Sequence, residues 1–225
     1  MKLRPVVRPA QPSGAAAIAA CWGALLLCLC LALLFTARSP GQDTPSAPSM
    51  VPEARAALEA LPPALSLQRR TLLEHACTLV GHVSYFWGGK SAAPGWDPAW
   101  GELRQVTAPG CEDSGKRLPY GLDCSGLVSW AAANTLDTPA DLAMVGDGVR
   151  AQYAGSIPID WSQLLPGDLL CFPDLSHIGL ALAAAPDGTV PVLHCSRSLG
   201  GVVITADAAG AGFALAARPG WLPSS

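Results

Sequence analysis

The sequence predicts an α+β fold: helices first, then an antiparallel sheet of about five strands, the whole preceded by a single transmembrane helix. Three observations predict it. Ala15 to Phe35 is an uncharged apolar run of 21 residues. Stretches of helical period lie between Ser66 and Asn134, and five short apolar runs separated by turn residues follow Pro166-Gly167. Helices segregated ahead of strands around one core make an α+β domain rather than alternating βαβ units.

As a helix, residues 15–35 would span about 31 Å, the thickness of a bilayer's hydrocarbon layer. Lys2, Arg4 and Arg8 precede the run and only Arg38 follows closely. The positive-inside bias therefore makes residues 1–14 a cytoplasmic segment, residues 15–35 the anchor, and everything after them extracytoplasmic. Leu34-Phe35-Thr36-Ala37 is a poor cleavage site for a signal peptide, and the apolar run follows Cys21 where a lipoprotein signal would precede it. Residues 36–65 hold Pro40, Pro45, Pro48, Pro52, Pro62 and Pro63 among small polar residues and read as a tether, with a short helix between Glu53 and Leu61.

The domain expected over residues 66–225 carries a formal charge of −5, which argues against a nucleic-acid partner. Ser66 can cap a helix with Leu72, Leu73, Ala76, Cys77 and Val80 on its apolar face. His75 and His82 read as surface residues. Tyr85-Phe86-Trp87-Gly88-Gly89 is an aromatic cluster closed by a glycine turn, with Phe86 and Trp87 expected in the core. Residues 90–122 follow neither period and read as a long ordered loop pinned by Trp96 and Trp100. Leu127, Val128, Ala131 and Ala132 then recur at helical spacing from Cys124, and a further helix is expected from Asp147 to Ala154. The strands are expected over 168–172, 177–183, 190–195, 201–205 and 213–218.

Cys124 falls in the first turn of its helix, where unpaired amides and the helix dipole favour thiolate, the nucleophilic form. Cys77, Cys111, Cys171 and Cys195 allow three disulfide pairings in an oxidising compartment, leaving Cys124 free. In residues 177–183, Ile178, Leu180 and Leu182 share one face, and His177, Gly179 and Ala181 the other; the small residues leave room for the Cys124 helix to approach. If Ala183 pairs with Val190 around Pro186-Asp187-Gly188, His194 stands opposite Gly179 and diagonal to His177. A slip of one residue would present Cys195 in its place. Cysteine, histidine and an orienting polar group form a thiol acyl-transfer site: Cys124 attacks, His177 takes and returns the proton, and His194 holds the ring of His177. Zinc is the rival use of such residues, but no paired short Cys or His spacing occurs, and no metal or cofactor is expected.

Tyr85-Phe86-Trp87-Gly88-Gly89, Gly121-Leu122-Asp123-Cys124-Ser125-Gly126-Leu127-Val128, Pro166-Gly167-Asp168-Leu169, Ser176-His177-Ile178-Gly179 and Leu193-His194-Cys195-Ser196 resemble, in order, the signature blocks of the NlpC family of bacterial cell-wall cysteine peptidases. The resemblance implies a papain-like fold and hydrolysis of peptidoglycan stem peptides, typically between γ-D-glutamate and a diamino acid. It implies that Cys124, His177 and His194 are nucleophile, base and third polar residue. It further implies that Tyr85 lies near the reacting carbonyl and that Asp123 and Ser125 line the site for the stem's N-terminal end. An amidase or acyltransferase, or a wall-binding module without activity, are the alternatives.

Overall fold

The computed structural model describes residues 48–91, 93–138 and 142–223. The cytoplasmic segment expected over 1–14 and the anchor expected over 15–35 lie outside them. Among the described residues no helix is long and apolar enough to cross a membrane.

The first element is helix α1 (Pro52–Glu59), opened by a proline whose missing N–H costs nothing at a helix start. Ala54 and Leu61 are buried in the main core, and Met50, Val51, Leu58 and Leu65 pack against it. Residues 50–65, expected within the tether, are thus part of the folded domain: enough apolar side chains sit between the prolines to bind this stretch to α2 (Leu67–Thr78). Ser66 precedes α2 without making the expected side-chain cap. The inward face of α2 includes Arg69 as well as Leu72, Leu73, Ala76 and Cys77. Arg69 Nη2 donates to Asp168 at 2.8 Å, Nη1 to the Pro166 carbonyl at 2.9 Å and Nε to the Pro223 carbonyl at 2.8 Å. Arg218 approaches the other oxygen of Asp168 at 3.1 Å. This buried cluster ties α2 to the turn that opens the sheet.

The long loop contains a short hairpin that its sequence does not betray, β1 (Leu103–Gln105) with β2 (Arg117–Pro119). Both strands are largely exposed, so no alternation is impressed on them. As expected, indoles pin the loop: Trp100 is buried, its ring 4.9 Å from Trp96 and 5.6 Å from Trp130. Helix α3 (Cys124–Ala133) and helix α4 (Gly148–Ala154) follow within a residue or two of expectation.

The main sheet is antiparallel throughout and has six strands rather than five: β3 (Ser156–Ile159), β4 (Leu169–Cys171), β5 (Ile178–Ala181), β6 (Val192–Ser196), β7 (Gly201–Thr205) and β8 (Leu215–Pro219), in the order β3-β8-β4-β5-β6-β7. The unexpected strand, β3, is at an edge, where Pro158 can sit in a strand without breaking an inner ladder. Between β5 and β6, Leu180 pairs with Leu193 and Ala181 with Val192, the register expected from the sequence.

The two faces of the sheet are used the other way round from expectation. Helix α3 packs through Leu127 and Val128 in one cluster with Ile178, Leu180, Leu193 and Cys195, the large aliphatic side. The small-residue side holds Ala181, Val192, Ala208, Phe213 and Ala216. A Cβ on Gly179 would meet Val192 Cγ2 at 2.6 Å and His194 Cβ at 2.9 Å, so the space left by the glycine belongs to its cross-strand neighbours and not to a helix. The expected disulfides are also absent: Cys77, Cys111, Cys124, Cys171 and Cys195 are all free thiols. Cys77, Cys171 and Cys195 are wholly buried core residues, and Cys195 donates its S–H to the Leu122 carbonyl at 3.0 Å.

Candidate active site

Asp123 makes α3 begin where it does. Its Oδ1 accepts the Gly126 amide at 2.6 Å, satisfying one of the donors that a helix start leaves open. The Ser125 hydroxyl donates to the same oxygen at 2.9 Å. Lys90, from the loop before β1, places its ammonium on that oxygen at 2.9 Å and also on Ser125 Oγ, and lies 3.5 Å from Asp147. Asp123 and Ser125 are therefore bound into a cap with a cation at its centre, immediately beside Cys124.

Cys124 is 5% exposed. The sequence suggests an acidic thiol; the structure corrects this. Burial pushes the thiol up to about 11, with the Asp123 carboxylate adding to the rise. The backbone amides of Ile178 and Ser125 and the Lys90 charge pull the other way without prevailing. A helix dipole is worth at most a couple of kcal/mol even in partly buried sites, too little to offset removal of a thiolate from water. The resting group is a neutral thiol.

His177 is delivered by the turn between β4 and β5. Leu175 there adopts a φ of 57°, a left-handed conformation uncommon for leucine. The Ser176 amide and hydroxyl close the turn on Asp174 Oδ1 at 3.0 and 2.7 Å. The His177 carbonyl accepts the Phe172 amide at 3.1 Å, and the ring of Phe172 packs edge-on against the imidazole. His177 Nε2 lies 2.7 Å from His194 Nδ1, and His194 Nε2 lies 2.8 Å from Thr205 Oγ1. Phe213 packs on both rings. Burial holds both imidazoles down to about 4, the His177 ring adding to the effect on His194.

Two members of the expected triad are thus joined directly. The third is linked to them only through the backbone: the amide that reaches the Cys124 sulfur belongs to Ile178, the residue after His177. Among the described residues no hydrogen bond links the Cys124 side chain to His177, and His177 Nδ1 has no partner.

The imidazoles open onto a cleft of about 970 Å³ lined also by Tyr85, Trp87, Cys111, Phe172, Leu199 and Phe213. Burial, then the neighbouring Cys124 and Asp123, push the Tyr85 phenol well up, so it stays a neutral hydroxyl. Trp87, expected in the core, instead lines the cleft and donates to the Pro109 carbonyl at 2.9 Å. Arg197 on the rim binds Asp113 at 2.8 Å and Glu112 at 3.0 Å, fastening the long loop to the β6–β7 turn. Hydrogen bonds from Arg197 and Lys116 hold the Asp113 carboxyl down to about 2. His75 and His82 stand apart from the site, against Trp130 and the Ser49 carbonyl.

Lys90 and Thr205 are the site residues that the sequence reading misses. The signal for Thr205 was available in the expected 201–205 strand, since the β6–β7 register places it opposite Val192, on the face shared with His194. No local pattern announces Lys90, whose partners lie 33 and 35 residues away. Among the described residues no group of three or more His, Cys, Asp or Glu could hold a metal ion.

No family profile and no curated protein matches the chain. Solved structures do resemble it, and they are NlpC/P60 domain proteins. The peptidoglycan hydrolase RipB from Mycobacterium tuberculosis is 22% identical with a TM-score of 0.47, over 74% of this chain and 65% of RipB. The P60 domain of an antigen from M. avium subspecies paratuberculosis is 22% identical with a TM-score of 0.45, over 74% of this chain and 96% of that one. RipD from M. tuberculosis, a non-catalytic NlpC/p60 domain protein adapted to peptidoglycan binding, is 16% identical with a TM-score of 0.45, over 68% and 98%.

Proposed function

We propose that this protein is a cell-wall hydrolase: a membrane-anchored cysteine endopeptidase, held by residues 15–35, whose extracytoplasmic domain cuts peptidoglycan stem peptides between γ-D-glutamate and the diamino acid. The observation that carries this reading is the chain His177–His194–Thr205, which leaves one imidazole nitrogen, His177 Nδ1, unclaimed on the residue that precedes the strand amide bound to the Cys124 sulfur. The ordered sequence blocks around these residues supply the substrate class; the geometry supports the chemistry.

His177 Nδ1 accepts the thiol proton as sulfur attacks the scissile carbonyl, so ionisation and attack are coupled and no standing thiolate is needed. The first-turn amide of Cys124, which the Asp123 side chain leaves free, and the Tyr85 hydroxyl on the cleft are the donors assigned to the developing oxyanion. His177 returns the proton to the leaving amine, and water completes hydrolysis of the thioester. Asp123 and Ser125, already joined to Lys90, line the side of the site toward the stem's N-terminal end.

The test is digestion of purified peptidoglycan by the full chain and by Cys124→Ala, with mass spectrometry of the released fragments. Fragments cut within the stem, absent with the variant, are expected. Release of whole stems from glycan indicates an amidase instead, and identical patterns from both proteins indicate a wall-binding module.

A further inference from the structure

We propose that Thr205 is a positioning residue that sets the tautomers of both imidazoles: by accepting the Nε2–H of His194 it leaves His194 Nδ1 open to receive the Nε2–H of His177, and so keeps His177 Nδ1 free of hydrogen. This rests on the acyl-transfer reading above, and it adds to the site a residue that neither the sequence blocks nor the signature triad contains.

The argument is one of counting protons. Both rings are neutral at physiological pH, each held down by burial, so each carries one N–H on one of two nitrogens. The 2.7 Å contact between the rings requires that one nitrogen donate and the other accept. If His177 donates, its proton is on Nε2 and its Nδ1 is a bare base; His194 must then carry its proton on Nε2, which faces Thr205 Oγ1 at 2.8 Å. If His194 donates, both rings carry Nδ1–H, and His177 has no lone pair left for the thiol. A threonine hydroxyl can serve either sense, but only its accepting sense yields a competent base. Once His177 takes the thiol proton, both its nitrogens are donors. His194 then has to accept at Nδ1 and donate at Nε2, and Thr205 again supplies the acceptor.

The fold holds this geometry rather than leaving it to chance. Thr205 lies at the end of β7 in register with Val192, and His194 pairs with Val203 on the same ladder, so hydroxyl and ring are diagonal neighbours. Phe213 covers both rings, and Gly179 leaves no side chain between the strands.

Thr205→Val keeps the shape of the side chain but accepts nothing. His194 then moves its proton to Nδ1, where His177 can receive it, because an N–H without an acceptor is poorly tolerated on His194, which is buried, whereas the N–H this leaves on His177 Nδ1 belongs to a half-buried ring that lines the cleft. The experiment is long-range ¹H–¹⁵N correlation NMR of the histidines in the full chain, paired with stem-peptide turnover, for wild type, Thr205→Val and Thr205→Ser. Wild type and Thr205→Ser are expected to show Nε2–H on both His177 and His194. Thr205→Val is expected to show Nδ1–H on both, with kcat reduced about tenfold or more and KM changed less than about twofold. An Nδ1–H tautomer at His194 in wild type overturns the proposal, as does a valine variant with wild-type tautomers. The tautomers are read without turnover: if they shift as expected while even wild type cuts no wall, the positioning role stands and the peptidase reading fails.

Discussion

Two polar clusters in this domain are formed on opposite principles. Arg69, Asp168 and Arg218 make a charged cluster in which Asp168 is fully buried and the Arg69 guanidinium spreads its donors over a carboxylate and two carbonyls. His177, His194 and Thr205 make a neutral one that runs in a line and stops at a nitrogen with no partner. The first is closed, so it can only fasten elements together. The second has one end open to a cleft, and that is where a proton can enter or leave.

The comparison breaks most severely if the closed cluster loses its anion. Asp168→Ala leaves two arginines facing each other, one of them fully buried, and is expected to cost about 3–5 kcal/mol in denaturant unfolding. The pH profile of Cys124 alkylation in the protein that remains folded should be unchanged. A loss of less than about 1 kcal/mol would mean that the cluster contributes no more than a surface ion pair.

The open cluster should show itself through pH. Both imidazoles are held near 4 in the folded state against the ordinary 6.5. The unfolded chain therefore binds more protons in that window, and stability falls as pH drops from about 6.5 to about 4. Replacing His177 and His194 together by Gln should flatten this stretch of the stability curve by several kcal/mol, which urea unfolding at a series of pH values will detect. A wild-type curve that is already flat would contradict the burial of neutral rings.

The smallest effect sharpens the contrast at the sulfur. Cys124 should react with iodoacetamide slowly at neutral pH and faster as pH approaches about 11, where its thiol titrates. Lys90→Met removes the cation that offsets Asp123 and should slow the reaction by roughly threefold. Equal rates in variant and wild type would show that the ammonium leaves the thiol untouched.

Much of this was legible in the chain. The ends of α3, the indole-pinned loop and the β5–β6 register all follow from local spacing and one turn, because each is decided by neighbours a few residues away. Gly179 is legible as a place where something comes close, yet its sequence does not say what: the visitors are Val192 Cγ2 and the Cβ of His194, not helix α3. Arg69 and Lys90 are invisible for the same reason, since their partners lie 99 and 33 residues along the chain. β3 and the β1–β2 hairpin are not legible because these exposed or edge strands carry no alternation. The raised Cys124 thiol is not legible either, because position at a helix start can be read from sequence, whereas depth of burial cannot.

The Asp123 cap couples two properties that are usually separate. One carboxylate starts helix α3 and also presses on the sulfur one residue away, and an ammonium from a remote loop moderates it. How firmly the helix begins and how readily the thiol ionises are therefore set by the same carboxylate and ammonium, so a change at either group registers in both.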